Sequence, residues 1–265
     1  TVDSFDWSRL IANKDTEIDR LNGIYEKLLS NAGVEILYGT ASLIDANTVK
    51  LGERNLSADK ILIATGGTPF LPEVPGIEHA ISSNEVFHLE QQPKSALVVG
   101  GGYIAVEFAG IFNGIGTDTT LLYRGPQILR GFDDDIRNHL SAEIVKKGID
   151  LKLETDVKSV SLDSDGRKVV AFTDGSTKTV DCVLYATGRN PNVESLNLEN
   201  VGVALGDKGE VKVDKYSRTN VESIFAVGDV TDRIALTPVA TMEGHAFADT
   251  FFGNNERFAD HTNVP

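Results

Sequence analysis

The chain has 265 residues, enough for more than one domain, and its 41% hydrophobic and 24% charged content is ordinary for a globular enzyme. A formal net charge of −14 argues against binding to nucleic acid or an anionic membrane, so a site for a polyanionic cofactor must be a local island of positive charge. No apolar run is long enough to span a membrane, no signal peptide is evident, and a single cysteine cannot form an internal disulfide; we therefore expect a cytoplasmic protein.

The first predicted element is a long amphipathic helix over residues 4–31. Apolar side chains recur at helical spacing from Trp7 to Leu28, and Gly33 supplies a stop. Strand-like stretches follow at VEILYG (34–39), ASLID (41–45), TVKL (48–51) and KILIATGG (60–67). The stretch GTPFLPEVPG (67–76) is rich in Pro and Gly and predicts a connector, so we place a domain boundary near residue 80.

The middle of the chain alternates between strands and helices. The segment ALVVGGGYIAVEFAG (96–110) predicts a strand, a glycine turn and a helix, and TDTTLLYR (117–124) predicts a second strand. A helix over residues 133–147 and the strand IDLKL (149–153) follow, and this alternation implies a parallel sheet. Residues 156–188 then read as hairpins turning at Asp165-Gly166 and Asp174-Gly175, and the last quarter as strand, turn and helix.

The glycine turn matches the pattern G-x-G-x-x-A in the strand-turn-helix context where that pattern binds dinucleotides. Gly100 would permit the tight turn, Gly102 would let the backbone approach a pyrophosphate, and Ala105 would keep the helix close to the strand. The helix N-terminus offers N–H groups and positive dipole to the phosphates. The sequence therefore predicts a dinucleotide site at Gly100, Gly102, Tyr103, Ile104 and Ala105, the alternative being a glycine turn that only packs.

The end of the second strand indicates which dinucleotide binds. An NAD site has Asp or Glu about 20 residues after the turn, whereas Tyr123 and Arg124 stand here and Arg130 follows. Two guanidinium groups suit a 2′-phosphate because each can make charge-assisted, often bidentate contacts with it. We therefore predict NADPH rather than NADH; the alternative is that both arginines are solvated or pair with the acids at residues 133–135.

Three further apolar strands end in small-residue turns. ILIATGG (61–67) and VLYATG (183–188) could each let the backbone approach a nucleotide, or could simply join domains. TNVESIFAVGD (219–229) ends in Gly228-Asp229, where a carboxylate could accept hydrogen bonds from a sugar-like polyol. Taken singly, a strand ending in Gly-Asp is more often just a turn.

In this order the motifs resemble those of the flavoprotein disulfide reductases, most closely the members that reduce glutathione disulfide. The resemblance runs from FDWSRLIANKDTEIDRLNGIYEKLL to FADHTNVP, nearly the whole chain. It implies an α/β fold in which a Rossmann-like NADPH domain, with a parallel sheet, helices and a β-meander, is inserted in a partial FAD-binding domain. The expected bounds are residues 1–79 and 191–265 for the FAD-binding parts and 80–190 for the NADPH domain.

The resemblance also implies roles for individual residues. Tyr103 would cover the nicotinamide pocket, and Glu107 would pair with a lysine near the flavin. Asp229 would hold a ribityl hydroxyl, and a helix beginning at Leu236 and Thr237 would direct its N-terminus at the flavin pyrimidine. The implied NADPH residues are Gly100, Gly102, Tyr103, Ile104, Ala105, Glu107, Arg124, Arg130 and Gly188. The implied FAD residues are Thr65, Gly66, Arg189, Asp229, Leu236 and Thr237.

Other motifs of the family are missing from these residues. They include the N-terminal FAD-binding G-x-G-x-x-G, the C-x-x-x-x-C redox pair and the C-terminal interface domain with its H-x-x-x-x-E acid-base pair. Cys182 lies in an apolar strand and is expected to be a buried, inert thiol. We assign no metal ligand and no catalytic residue beyond the supporting Tyr103 and Glu107. Because the chain does not begin with Met and stops abruptly, we expect a piece of a longer protein.

The resemblance implies NADPH-dependent reduction of glutathione disulfide through FAD and a redox disulfide in a full-length homodimer. These residues would carry the NADPH site and part of the FAD site and would be inactive alone. The alternatives are a trypanothione-reducing member, another NADPH-linked flavoprotein reductase, or a non-catalytic NADPH-binding module. A lipoamide-linked member is less expected, because Tyr123 stands where a glutamate would select NAD. A flavoprotein transhydrogenase would suit the cysteine count but agrees less well with the motifs.

Overall fold

The computed structural model describes residues 5–262 and residue 264. Its α-helices are α1 (Trp7–Asn31), α2 (Tyr103–Gly114), α3 (Asp134–Lys146) and α4 (Thr237–Phe252). Its strands are β1 (Ala41–Asp45), β2 (Thr48–Leu51), β3 (Arg54–Ser57), β4 (Ile61–Ile63), β5 (Gly67–Pro69), β6 (Ser95–Val99), β7 (Asp118–Leu122), β8 (Asp150–Lys152), β9 (Val157–Leu162), β10 (Lys168–Phe172), β11 (Thr177–Val180), β12 (Cys182–Tyr185), β13 (Arg189–Pro191) and β14 (Ile224–Ala226). Short 3-10 helices include Ile77–His79, Glu85–His88 and Gly228–Thr231.

The chain divides into two compact units. The first comprises the described residues up to Glu35 together with Pro69–Gly188, and the second comprises Ile36–Thr68 with the described residues from Arg189 onward. The expected domain bounds at residues 79/80 and 190/191 stay a prediction, and the compact units divide at other positions. Trp7 packs against the core of the first unit and its indole N–H donates to Leu89 O (2.7 Å). Val160 N–H donates to Pro75 O (2.8 Å), so the segment before residue 80 is bonded to the first unit as well.

The first unit is built on a parallel four-stranded sheet in the order β12-β6-β7-β8. Strand β6 is buried along its whole length because it has a strand on each side and apolar layers on both faces. Ala96 and Val98 lie in one cluster with α2, whereas Leu97 and Val99 face the antiparallel meander β11-β10-β9. The predicted β-α-β-α-β alternation and the hairpins after it are confirmed.

Helix α1 begins at Trp7, with the Asp6 carboxylate accepting from Arg9 N–H (3.1 Å) as its N-cap. The predicted helix is confirmed over these residues, and its expected start at Ser4 lies outside the described residues. Only Trp7 takes part in a core: the helix has no buried residue, and Tyr25 and Leu28 are 63% and 58% exposed. Its apolar stripe is therefore largely open to solvent within the described part of the chain.

The predicted strand at residues 34–39 is not formed. Val34 N–H donates to Leu29 O (3.0 Å) and so closes the end of α1, and Val34 and Tyr38 are 48% and 78% exposed. Ile36 and Leu37 are half-buried, but the segment pairs with no strand within the described residues.

The second unit contains the antiparallel sheet β1-β2-β3, the parallel pair β14-β4 and the pair β13-β5. Ile61 and Ile63 of β4 share a core with Ile224 and Ala226 of β14. Helix α4 packs through Phe247 and Phe251 on Phe225, with ring centroids 5.0 and 4.6 Å from the Phe225 ring. The predicted sequence of strand, turn and helix in the last quarter of the chain is confirmed by β14, the 3-10 turn and α4.

Candidate nucleotide sites

The glycine turn lies where the strand order of the parallel sheet in the first unit reverses. Helix α2 leads from β6 to β7 on one side, and β12 lies on the other side of β6. Val99 and Tyr185 are paired at the carboxyl ends of β6 and β12, so the turn after each strand emerges at the same edge. Open parallel sheets bind ligands in the crevice outside this edge, at the point where the strand order reverses.

Two glycines of the turn have different structural requirements. Gly100 has φ 144°, and a Cβ placed on it would lie 2.3 Å from Ala186 O, so no side chain fits there. Gly102 is exposed, and a Cβ on it would meet nothing within 4 Å. It is the N-cap of α2 and provides no side-chain cap. The N–H groups of Ile104 and Ala105 thus face an open helix N-terminus without an intrahelical acceptor, as an anion site requires.

The position where an NAD site carries its acid is occupied by an aromatic ring. A Cβ on Gly101 would lie 2.5 Å from the ring of Tyr123, and one on Gly125 would lie 2.6 Å from it. Tyr123 therefore packs on the backbone of the glycine turn and needs glycine on both sides. No carboxylate occupies this position, in agreement with the sequence argument.

Arg124 and Arg130 are both exposed, and neither forms an ion pair within residues 5–262. Two of the acids that follow them are engaged elsewhere: Asp133 caps α3, and Asp134 pairs with Arg137 (2.6 Å). The alternative in which the two arginines are neutralised by residues 133–135 is therefore not formed. A site for a polyanionic cofactor in a chain of net charge −14 needs such uncompensated positive charge, and that these two arginines of the described region form one stays a prediction.

The loop that carries Arg130 is bonded to the glycine turn itself. Leu129 N–H donates to Gly101 O (2.6 Å), with Leu129 buried and its φ at 54° in the left-handed region. Arg137 fixes the same loop from α3 by donating to Ile128 O (2.9 Å) and Gln127 O (3.2 Å). No sequence signal marks these contacts, because they join segments whose spacing follows no motif.

The remaining predicted NADPH residues lie on the same unit. Tyr103 is the first residue of α2 and is 42% exposed, and Glu107 follows one turn later and is exposed. Gly188 has φ 141° and closes the turn after β12, where its carbonyl accepts from Phe70 N–H (3.0 Å). The structure thus places these residues on α2 and at the adjacent strand ends, while their roles toward a nucleotide stay predictions.

The predicted FAD residues belong to the second unit. Thr65 donates its hydroxyl to Asn192 O (2.7 Å), and Gly66, at φ 70°, accepts from Asn192 N–H (2.9 Å). Arg189 donates to Gly67 O. A Cβ on Gly67 would lie 3.6 Å from the Cβ of Asp229, so the turn after β4 and the turn after β14 are neighbours.

Two features of this region suit a polyol and an anionic ring. The carboxylate of Asp229 forms no hydrogen bond or ion pair with the part of the chain that the structure describes, so its acceptor sites are open. Helix α4 begins after Leu236 without a side-chain cap and with Pro in its first turn. In the first turn Pro238 has no N–H and the N–H of Val239 donates to Leu236 O (3.0 Å), so the N–H of Thr237 and the positive end of the helix dipole are what this terminus offers to negative charge.

One functional candidate escaped the sequence analysis. Glu243 on α4 is 1% exposed, and its carboxylate accepts from Gly228 N–H (2.6 Å). Arg233 and His261 contact its other oxygen at 3.0 and 2.7 Å. A glutamate in a helix with apolar neighbours carries no signal of such a network.

Cys182 has the environment that the sequence predicts. It is buried in β12, and desolvation by burial raises the pKa of its thiol to about 11. A thiol with that pKa is protonated at neutral pH and is a poor nucleophile. Since it is the one cysteine of the 265 residues, no pair of thiols is present for disulfide exchange.

Among the described residues, no group of His, Cys, Asp and Glu side chains could hold a metal ion. The helices of the described part of the chain also lack the length and apolar character that a membrane crossing requires.

Comparison with known proteins identifies the family. The model of the family described as "Pyridine nucleotide-disulphide oxidoreductase" matches residues 3–244. The chain belongs to the pyridine nucleotide-disulphide oxidoreductase family. The resemblance drawn from the motifs is confirmed, as is the α/β fold with a Rossmann-like parallel sheet. The family uses FAD and NADPH, so both predicted cofactors are confirmed at the level of the family.

Relatives in this family share most of the length of this chain. It is 51% identical over 262 residues to a glutathione reductase from Burkholderia cepacia, covering 99% of this chain and 58% of the relative. It is 44% identical to a glutathione reductase from Nostoc sp. over 97% of this chain and 59% of the relative. A trypanothione reductase from Trypanosoma congolense is 45% identical over 97% of this chain and 55% of that protein. The chain thus spans less than two thirds of the length of these relatives.

Among solved structures, the chain is similar to the HOCl-induced flavoprotein disulfide reductase RclA from Escherichia coli. The TM-score is 0.92 at 28% identity, and the match covers 98% of this chain and 61% of that chain. The pyridine nucleotide-disulphide oxidoreductase fold is therefore shared at both the sequence and the structural level.

Proposed function

We propose that this chain carries the NADPH site and part of the FAD site of an NADPH-dependent glutathione-disulfide reductase. The NADPH assignment rests on Arg124 and Arg130, which are exposed and form no ion pair within the described part of the chain, and on Tyr123, which stands beside the glycine turn where an NAD site carries its acid. The names of two relatives, glutathione reductases at 51% and 44% identity, support the substrate.

The residues present fit a bound NADPH. The open helix N-terminus at Gly102, with the N–H groups of Ile104 and Ala105, would hold the pyrophosphate, because an N-terminus without a cap is an anion site. Gly100 brings the turn against Ala186 and so keeps this N-terminus at the sheet edge. The two arginines would hold a 2′-phosphate through charge-assisted hydrogen bonds. Tyr103, Glu107 and Gly188 would line the nicotinamide side.

The second unit fits part of an FAD. Asp229 offers an open carboxylate to a ribityl hydroxyl, and the N-terminus of α4 at Leu236 and Thr237 would stabilise negative charge on the flavin. The turn at Thr65 and Gly66, with Arg189, would support the same cofactor. When bound, the two cofactors supply hydride transfer from nicotinamide to flavin and electrons for a disulfide. The residues of this chain bind and orient them.

The redox disulfide, the acid-base pair and the homodimer interface are proposed to belong to a full-length protein, by analogy with the relatives. We also propose a cytoplasmic location, which agrees with the single cysteine.

Trypanothione reductase is a second candidate, because one such enzyme is 45% identical over nearly the whole chain. Another NADPH-linked flavoprotein reductase is a further candidate, given the likeness to RclA. A non-catalytic NADPH-binding module is the remaining alternative for the 265 residues, which contain one cysteine.

The test is a calorimetric titration of the chain with NADPH and, separately, with NADH. We expect NADPH to bind far more tightly, and Arg124→Ala and Arg130→Ala each to weaken NADPH binding about tenfold or more while NADH binding stays within about twofold, since a hydrogen bond to a charged group is worth about 1.5–3 kcal/mol. Arg20→Ala is the matched control, since Arg20 is an exposed arginine on α1, 56% exposed and paired with Glu17. Equal affinity for the two nucleotides would refute the 2′-phosphate assignment.

A further inference from the structure

The second unit contains a buried carboxylate that the proposed function does not use. Glu243 lies in the second turn of α4 and is 1% exposed. Its Oε2 atom accepts from the N–H of Gly228 (2.6 Å). Its Oε1 atom lies 3.0 Å from Nη2 of Arg233 and 2.7 Å from Nε2 of His261. A buried carboxylate is tolerated when it is paired and hydrogen-bonded in this way, and removing it would leave buried donors without an acceptor.

The contacts of Glu243 form a closed network around one turn. Thr231 donates its hydroxyl to Gly228 O (2.8 Å), and Arg233 donates to that hydroxyl oxygen (3.1 Å) and pairs with Glu243. The N–H and the C=O of Gly228 are therefore both held, and Arg233 connects the two groups that hold them. A hydrogen-bonded polar network of this kind rigidifies the turn that it surrounds.

The held residue immediately precedes Asp229. Gly228 has φ 74°, and a Cβ placed on it would lie 3.2 Å from the Cβ of Ala240, so α4 packs closely on the turn. Glu243 therefore ties together two elements: the turn that presents the Asp229 carboxylate, and the helix that begins at Leu236 and Thr237. These are the elements that the proposed function assigns to the FAD ribityl chain and ring.

We infer that Glu243 is a positioning residue of the flavin site: it acts through Gly228 to set the direction of the Asp229 carboxylate relative to the N-terminus of α4. The inference rests on the proposed function, because it takes Asp229 and α4 as flavin-binding elements. Glu243 does not contact the cofactor in this account.

The test compares Glu243→Gln with wild type. Glutamine keeps the shape of the side chain but removes the charge that faces Arg233. The matched control is Asp249→Asn, which makes the same chemical change on the same helix at a surface pair with Arg257 (2.9 Å). Both variants are measured at a temperature at which circular dichroism shows them folded.

The first readout is amide hydrogen exchange of Gly228 and Asp229 by NMR. We expect Glu243→Gln to accelerate exchange at these two amides at least tenfold, while amides of β6 in the other unit and the Asp249→Asn control stay unchanged. Unchanged exchange at Gly228 overturns the inference, because the carboxylate would then not hold the turn.

The second readout is the dissociation constant for FAD, from quenching of flavin fluorescence, with NADPH binding measured beside it. We expect Glu243→Gln to weaken FAD binding at least tenfold and to leave NADPH binding within twofold. FAD affinity within twofold of wild type overturns the positioning role even if exchange changes. Wild-type chain that binds NADPH but not FAD contradicts the flavin half of the proposed function instead, and with it the flavin role of Glu243, while the exchange data still decide whether Glu243 holds the turn.

Discussion

The two glycines at the ends of the G-x-G pattern should fail in different ways when each is replaced by alanine. In Gly100→Ala the new Cβ would lie 2.3 Å from the backbone oxygen of Ala186 and the backbone would have to keep φ at 144°. A forced backbone conformation costs about 1–3 kcal/mol and overpacking about 1–3 kcal/mol more, so we expect a loss of about 2–6 kcal/mol in unfolding free energy. In Gly102→Ala the new Cβ meets nothing within 4 Å. The loss there should stay within about 1 kcal/mol, the size of a helix-cap effect.

Gly102→Ala should have a small effect on the free energy of unfolding but a large effect on the affinity for NADPH. Its open space is where a pyrophosphate would approach the backbone, so a methyl group there should weaken NADPH binding about tenfold or more, or about 1.4 kcal/mol. The folded variant would therefore keep its stability and lose its ligand.

The stability assay can use the intrinsic fluorescence of the chain. Trp7 is its one tryptophan, and it packs in the core of the first unit, so its emission during urea unfolding reports on the unit that contains both glycines. Calorimetry with NADPH gives the affinity. Gly100→Ala as stable as wild type would refute the packing argument, and Gly102→Ala binding NADPH like wild type would refute the approach of the pyrophosphate.

Three further predictions concern the core of the first unit. Tyr185 is 1% exposed, and its hydroxyl has no hydrogen-bond partner in the described part of the chain. Tyr185→Phe should therefore raise the free energy of unfolding by about 1–3 kcal/mol in urea titrations, and a loss of stability would mean that the hydroxyl has a partner. Burial raises the pKa of the Cys182 thiol from 9.0 to about 11, so the unfolded chain loses this proton at lower pH than the folded chain and the free energy of unfolding should fall by roughly 2–3 kcal/mol between pH 9 and pH 11. Cys182→Ala should make the free energy of unfolding less dependent on pH in that window, and an unchanged slope would assign the loss to other groups. Gly76 has φ 83° and a Cβ on it would lie 1.7 Å from Val160 O, so Gly76→Ala should lower stability by about 3 kcal/mol or more, and a change below about 1 kcal/mol would contradict the geometry.

The parts of the fold that depend on local sequence were predictable. Strand, glycine turn and helix at residues 96–110 follow from an apolar run and a motif, and Asp133 caps α3 at the expected boundary. The prediction of a strand at residues 34–39 was wrong because this segment finds no partner strand among the described residues, although Ile36 and Leu37 are half-buried. Pattern alone does not reveal whether a partner face exists.

Tertiary links were beyond sequence reasoning. The bond from Leu129 N–H to Gly101 O joins residues 28 apart, and Glu243 collects donors from Gly228, Arg233 and His261. Neither contact repeats a spacing that a motif records, and both become visible only when the chain is folded. The glycine turn and the two arginines were predictable because phosphate recognition limits which residue types can stand at each position, whereas the roles of Tyr103 and Glu107 and the FAD residues followed only from the family resemblance.

The bond between Leu129 and Gly101 has a consequence for how a nucleotide is selected. Because the loop before Arg130 is already fixed to the glycine turn, little conformational entropy remains to be lost when a ligand arrives. Under the proposed assignment of Arg124 and Arg130, discrimination between a ribose that carries a 2′-phosphate and one that does not would then depend on charge at exposed guanidinium groups. Such attraction is screened over about 10 Å at 0.1 M ionic strength. If Arg124 and Arg130 hold the 2′-phosphate as proposed, salt should weaken NADPH binding more than NADH binding, because the pyrophosphate is common to both nucleotides and only NADPH carries the additional phosphate.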